Sequence, residues 1–242
     1  MCGINGFVLE KKASADENKN IINKMNSFII YRGPDSDGIY ADDKVALGMR
    51  RLSIIDLSTG KQPIYNEYGT KVIVFNGEIY NFKGLRDELK SKGHKFKTKS
   101  DTEVILHSYE EYGTKCLEKL NGMFAFAIYD INSSEMFIAR DRAGEKPLYY
   151  YRDHEKFVFA SELKSIIKTF DIKKEINKKA LNQYFSLTYI PAPLTIFENI
   201  YKLEAGSFIL YKEGKFNIER YWDIDSRKVD IIYSYDECKR RL

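Results

Sequence analysis

The feature that most limits how this chain can fold is a series of short strand-like runs, each closed by turn-forming residues. Residues 3–9, 45–55, 71–75, 123–129, 135–139, 148–152, 156–160, 207–211 and 216–222 are rich in β-branched, aromatic and other apolar side chains. Asn132-Ser133-Ser134 and Glu213-Gly214 lie where neighbouring runs would fold back as hairpins, and residues 38–41 add one more short strand. Helical patterns fall between these blocks. Residues 10–20 read as a polar loop leading into a short helix with Ile21, Ile22, Met25 and Phe28 on one face. Residues 82–92 follow Asn81 as a cap and stop at Gly93, with Leu85 and Leu89 facing inward. Ser100-Asp101-Thr102-Glu103 has capping-box spacing and opens a helix over 103–112 that ends at Gly113. Shorter helices are predicted at 162–168 and around 181–185. Strands and helices grouped in blocks predict an α+β fold on antiparallel sheet rather than a parallel α/β fold.

Composition removes several function classes. The net charge of +4 is dispersed among interleaved acids, so no basic cluster predicts nucleic-acid binding. No apolar run approaches the ~18 residues of a membrane helix, and the start lacks a signal peptide's basic segment and apolar core. Cys2, Cys116 and Cys238 lie far apart, in an odd count and without metal-ligand spacing. That predicts reduced thiols in a cytoplasmic protein, with no disulfide framework and no metal site. A final helix starting near Tyr235 would be cut by the end of the chain, which predicts a fragment of a longer protein.

Cys2 is the first candidate for chemistry. A small residue directly after Met1 permits removal of the methionine, leaving the thiol and a free α-amine on one residue. A thiol titrating near ~8.5 beside an amine near ~7.7–8.0 is a nucleophile that carries its own general base. The alternative is a chance cysteine at a frayed terminus. His94, His107 and His154 lie in a helix or in charged loops, and none is flanked by site-like residues.

Acyl transfer also needs donors for a developing oxyanion, which Asn76-Gly77 at a strand end could supply. The same dipeptide is equally a hairpin turn. Arg51 and Asp101 could hold the carboxylate and ammonium of an amino acid, or be a surface arginine and a helix cap; Glu78 is ambiguous in the same way.

The ordered series Cys2-Gly3-Ile4, Arg32-Gly33-Pro34-Asp35, Arg51-Leu52-Ser53-Ile54-Ile55-Asp56, Asn76-Gly77-Glu78-Ile79-Tyr80-Asn81 and Ser100-Asp101-Thr102-Glu103-Val104-Ile105 resembles class II glutamine amidotransferases. Gly122-Met123-Phe124-Ala125-Phe126-Ala127, the stretch 140–149, Tyr189-Ile190-Pro191-Ala192-Pro193 and Arg220-Tyr221-Trp222 look like the glutamine-hydrolysing asparagine synthetase branch. The resemblance spans residues 2–222 and implies a four-layer αββα Ntn-hydrolase fold with two stacked antiparallel sheets. It makes Cys2 the nucleophile, Asn76 and the Gly77 N–H the oxyanion hole, and Arg51 the partner of the substrate carboxylate. Asp101 and Glu78 would hold the substrate ammonium, and backbone groups of Leu52, Ser53, Ile54 and Ile55 would line the pocket. Tyr31, Ala143 and Glu145 depart from the family pattern, the last two in a loop the resemblance turns toward a partner domain.

On this reading glutamine is the substrate and a synthetase domain in cis is the partner, with a homodimer left open. Residues 223–242 would be a linker and the start of that domain. The chain lacks the Ser-Gly-Gly-x-Asp-Ser loop that would bind ATP, so no cofactor is expected here; ATP and Mg belong to the absent synthetase domain. Relatives that amidate a sugar or peptide are the alternative, and a non-catalytic scaffold of the same fold is a third.

Overall fold

The computed structural model describes residues 2–53, 56, 60–224 and 234–241. Among them, twelve strands form two six-stranded sheets, and every strand pairing is antiparallel. Numbered along the chain, the first sheet runs β10 (Ile200–Lys202), β8 (Tyr149–Arg152), β9 (Lys156–Ala160), β1 (Gly3–Leu9), β3 (Val45–Arg51) and β2 (Ser36–Ala41). The second runs β12 (Lys215–Arg220), β11 (Ser207–Lys212), β7 (Glu135–Arg140), β6 (Gly122–Asp130), β5 (Lys71–Ile79) and β4 (Ile64–Tyr65).

The buried clusters define four layers. Ile4, Leu47, Met49, Val72, Val74, Ala125 and Ile138 pack between the sheets. On the outer face of the first sheet, Phe7, Ala46 and Val158 meet Ile22 and Met25 of α1 (Ala15–Ser27) and Ile166 of α5 (Leu163–Thr169). On the outer face of the second, Ile73, Phe75 and Phe126 meet α2 (Phe82–Ser91), α3 (Asp101–Tyr112) and α4 (Cys116–Lys119) through Leu85, Val104, Ile105 and Leu117. Strand alternation makes this possible, since successive side chains serve the inner and outer faces in turn. The α+β expectation and its antiparallel sheets hold. Among the described residues, α6 (Lys178–Leu187) and α7 (Tyr235–Arg241) complete the α-helices, and short 3-10 turns lie at Ile30–Arg32 and Gly113–Lys115.

Several local expectations shift, each for a physical reason. α1 begins at Ala15, inside the stretch expected to be a loop: Ser14 accepts from the Glu17 N–H while the Glu17 carboxylate accepts from the Ser14 N–H. That capping box starts a helix whose first turn is polar because it faces solvent. Conversely, Glu103 does not close a capping box at Ser100; its carboxylate accepts the N–H groups of Lys97 and Thr98, both at 2.7 Å. Asn81 sits at the cap position of α2, but its amide ties Lys119 O and the Asn121 N–H instead. β3 ends at Arg51, and β5 runs straight through Asn76-Gly77 to Ile79, paired with β6. At two and three residues, β4 and β10 are too short for a periodic pattern.

The buried face of α3 contains an ionic network. His107 is fully buried, with Nδ1 at 2.8 Å from Glu110 and Nε2 at 3.7 Å from Glu103. Burial pushes the imidazole down, but the two carboxylates outweigh it and raise the pKa to about 9. The stabilisation this group gives is fully present below the ordinary ~6.5 and is lost as pH rises through the folded value. NMR titration of His107 should therefore give a midpoint near 9, with thermal stability falling as that step is crossed. A midpoint at or below the ordinary histidine value would contradict the ion-paired network.

Candidate active site

The cleft is a continuation of the inter-sheet core. In β1, Ile4 faces the other sheet, and Cys2 lies two residues before it on the same side, packed against that core. In β3, Val45, Leu47 and Met49 face inward, and Arg51 is the next residue of that parity. In β5, Val72 and Val74 face inward, followed by Asn76 and Glu78; in β6, Ala125 and Ala127 share the face of Met123. Residues i, i+2 and i+4 of a strand share one face. The inward-facing sets of four strands thus pass from apolar to functional side chains at one end of the sandwich. There they line a cavity of about 150 Å³ bounded by Cys2, Arg51, Asn76, Glu78, Asp101 and Lys146. One water centre needs only about 10–15 Å³, so the cavity has room for a small amino acid.

Cys2 is held by three hydrogen bonds. Its Sγ accepts from the Leu52 N–H at 3.3 Å and donates to Leu52 O at 3.5 Å. Arg32 Nε donates to its carbonyl at 2.9 Å, and Arg32 is fixed in turn by Glu162 at 2.6 Å. This gives the Arg32-Gly33-Pro34-Asp35 stretch a purpose beyond a turn. A β-carbon on Gly33 would lie 2.2 Å from the Arg50 carbonyl carbon, so only glycine lets this segment approach β3. Burial raises the Cys2 pKa, while the Leu52 hydrogen bond and the charges of Arg51 and Lys146 oppose that rise.

Asn76 is 1% exposed, and its Nδ2 has no hydrogen-bond partner among the described residues. A buried amide donor left without a partner is uncommon and costs roughly 1–3 kcal/mol, which is compatible with a site awaiting an acceptor. The turn reading of Asn76-Gly77 fails because both residues are paired within β5. The buried Asp101 carboxylate accepts from the Ile79 N–H at 3.0 Å and from Ser100 Oγ at 3.3 Å, tying α3 to the end of β5. Desolvation raises its pKa against those hydrogen bonds, so a ligand cation would find it short of charge compensation. Arg51 is 5% exposed, and its Nη2 donates to Asp56 O at 2.7 Å, which excludes the surface-arginine reading.

Leu52 lines the cleft, whereas Ser53 does not: its N–H donates to Asp35 Oδ2 at 2.8 Å. Ile54 and Ile55 lie outside the described residues. Arg32, Glu162, Gln62 and Lys146 were not singled out from the sequence. Gln62 carried no signal; it brackets the backbone of Phe75 and reaches Thr102 Oγ1, joining β5 to α3. Of the histidines, none lines the cleft. Glu67, His94, His107 and Glu110 do bring ligand-type atoms within 4.8 Å of one another. Those groups already serve protein partners, however: Glu110 takes His107 and Asn66, Glu67 takes the Lys95 N–H, and His94 faces Glu111. The cluster is a structural network behind α3. No described helix is long and apolar enough to cross a membrane.

The model of the glutamine amidotransferase domain family matches residues 1–222. The chain belongs to this family. The amidotransferase domain is 44% identical over 232 residues to asparagine synthetase [glutamine-hydrolyzing] 1 of Bacillus subtilis, covering 95% of this chain and 36% of that protein. Against asparagine synthetase B [glutamine-hydrolyzing] of Escherichia coli it is 44% identical over 168 residues, 69% of this chain and 30% of that one. The chain thus spans about a third of the length of these curated relatives. Among solved structures, the glutamine phosphoribosylpyrophosphate amidotransferase of B. subtilis superposes with a TM-score of 0.64 at 20% identity, covering 91% of this chain and 49% of the other. That likeness shows the fold: the layered antiparallel sheets are shared with that amidotransferase.

Gly77 offers a direct test of the cleft wall of this amidotransferase domain. A β-carbon there would lie 2.1 Å from Met123 O, backbone against backbone. Gly77→Ala should lower stability by roughly 1–3 kcal/mol in a denaturant titration, the usual cost of overpacking. Unchanged stability would mean that β5 and β6 are less closely apposed at this point.

Proposed function

We propose that this domain hydrolyses glutamine to glutamate and ammonia through a thioester on Cys2. The observation that carries the reading is the buried, partnerless Asn76 amide donor in the same cleft as the Cys2 thiol. With Met1 removed, the α-amine of Cys2 takes the thiol proton as sulfur attacks the side-chain amide carbon. Asn76 Nδ2 and the Gly77 N–H stabilise the resulting oxyanion. The amine returns the proton to the leaving nitrogen, the C–N bond breaks and ammonia departs. Water then attacks the thioester carbonyl, giving up a proton through the same amine to the departing sulfur, and glutamate and free thiol result.

Arg51 would take the substrate α-carboxylate, and Asp101 with Glu78 the α-ammonium, since the cleft places these charges around one cavity. Leu52 would contribute to the wall beside the nucleophile. Its N–H already serves Cys2 Sγ, which orients the sulfur and leaves substrate recognition to the charged groups.

The names of the relatives support asparagine synthesis as the use of the ammonia, with aspartate as acceptor on a synthetase domain in cis. On that reading residues 223–242 lead into the synthetase domain, whose reaction would require ATP and Mg. A homodimer and a cytoplasmic setting are compatible with this role. Sugar or peptide acceptors find less support, because the relatives over most of the chain are asparagine synthetases.

Glutamate release by the purified chain tests the reading. Cys2→Ala should abolish release while leaving thermal unfolding unchanged; retained turnover would remove Cys2 as nucleophile. Asn76→Ala should lower kcat by roughly 10²–10³-fold, the usual loss of an oxyanion donor. Arg51→Ala and Asp101→Asn should chiefly raise KM, by about 10–100-fold, as expected for one lost charge-assisted contact. A KM unchanged by either substitution would contradict its role in holding glutamine.

A further inference from the structure

The cleft contains one cation for which the proposed substrate pose has no use. Lys146 is 6% exposed and lines the cavity with Cys2. It belongs to the 140–149 loop, which the resemblance turns toward a partner domain, yet its side chain is in the catalytic cleft.

The loop is built to keep it there. Asp141 is 1% exposed, and its carboxylate accepts the N–H groups of Phe124 at 3.2 Å, Glu145 at 2.9 Å and Lys146 at 3.0 Å. Gly144, at φ +68°, closes the turn with its N–H on Asp141 O at 3.1 Å. Arg140 clamps the far side, donating to Lys146 O at 2.7 Å and to Gly144 O at 2.6 Å. A lysine is costly to bury and is normally left at the surface, so a loop wound this tightly around one needs a reason.

Resting on the glutaminase reading, we propose that Lys146 supplies the standing positive charge that activates Cys2, favouring its thiolate and the negative charge that develops on substrate after attack. Arg51 also acts on the thiol, but the substrate carboxylate would pair with it and cancel much of that effect on binding. The substrate ammonium falls to Asp101 and Glu78. No substrate group falls to Lys146, so its field persists through the reaction. The thiol proton still travels by way of the amine.

The test reads the thiol directly, without turnover. Iodoacetamide alkylation of the Cys2 peptide is followed by mass spectrometry across pH in wild type, K146Q and K146R. Continued protection of buried Cys116 reports that each variant is folded. K146Q should slow Cys2 alkylation at pH 7 about three- to tenfold and move its pH profile upward, since a tenfold loss of thiolate corresponds to one pKa unit. K146R should restore the wild-type profile, and K146M should repeat the glutamine result should K146Q fail to fold. An unshifted profile in the neutral variants would overturn the inference, as would a shift that arginine does not reverse. A Lys146-dependent profile in a wild-type chain that releases no glutamate would uphold this inference and sink the glutaminase reading instead.

Discussion

The cleft depends on one geometric constraint, the strict two-residue alternation of strands held between two stacked sheets. β1 is an interior strand, paired with β3 on one side and β9 on the other, so its first residues cannot swing away as a chain terminus ordinarily does. Ile4 fixes which face of β1 looks across the sandwich, and Cys2 must then look the same way. The inward faces of β3, β5 and β6 bring Arg51, Asn76, Glu78 and Met123 to the same end. A one-residue slip in any of these strands would carry its functional side chain to the opposite face.

Within that frame, electrostatics set the chemistry. Burial acts against both charged forms the site needs: it raises the thiol of Cys2 and the carboxyl of Asp101. The protein answers with directed dipoles and fixed charges rather than with water. Backbone N–H groups of Leu52 and Ile79 reach the sulfur and the carboxylate, and Arg51 and Lys146 bring positive charge to the thiol. A second tier holds these groups in place: Glu162 fixes Arg32, and Asp141 with Arg140 winds the loop that presents Lys146. Glu103, braced by His107, holds the backbone of residues 97 and 98 just ahead of the Ser100–Asp101 turn.

How much of this could be read from sequence follows from the range of each interaction. The antiparallel α+β architecture is legible because the apolar runs and turn residues are local signals. The groups proposed to act on substrate are legible because their spacing resembles a family, although Arg51 and Asp101 by themselves looked like a surface arginine and a helix cap. The supporting residues are not legible. Arg32 acts on Cys2 across thirty positions and Glu162 acts on Arg32 across 130. Lys146 sits in a charged loop that gives no local hint that its side chain is buried. Ser14-Glu17 is a different case: the capping box was present in the sequence, but the polar first turn of α1 hid it. Asn76-Gly77 was legible as a pair and ambiguous as a structure, because the pairing with Ala125 and Phe124 that keeps it in a strand lies far along the chain.

The account rests on a covalent intermediate at residue 2, and rapid acid quenching during glutamine turnover followed by intact-mass and peptide mapping tests it most directly. The account predicts a chain that has lost Met1 and carries the mass of one glutamyl group, located on Cys2 and lost on standing as the thioester hydrolyses. Glutamate release from a chain that never carries that adduct, or an adduct located on another residue, would contradict it.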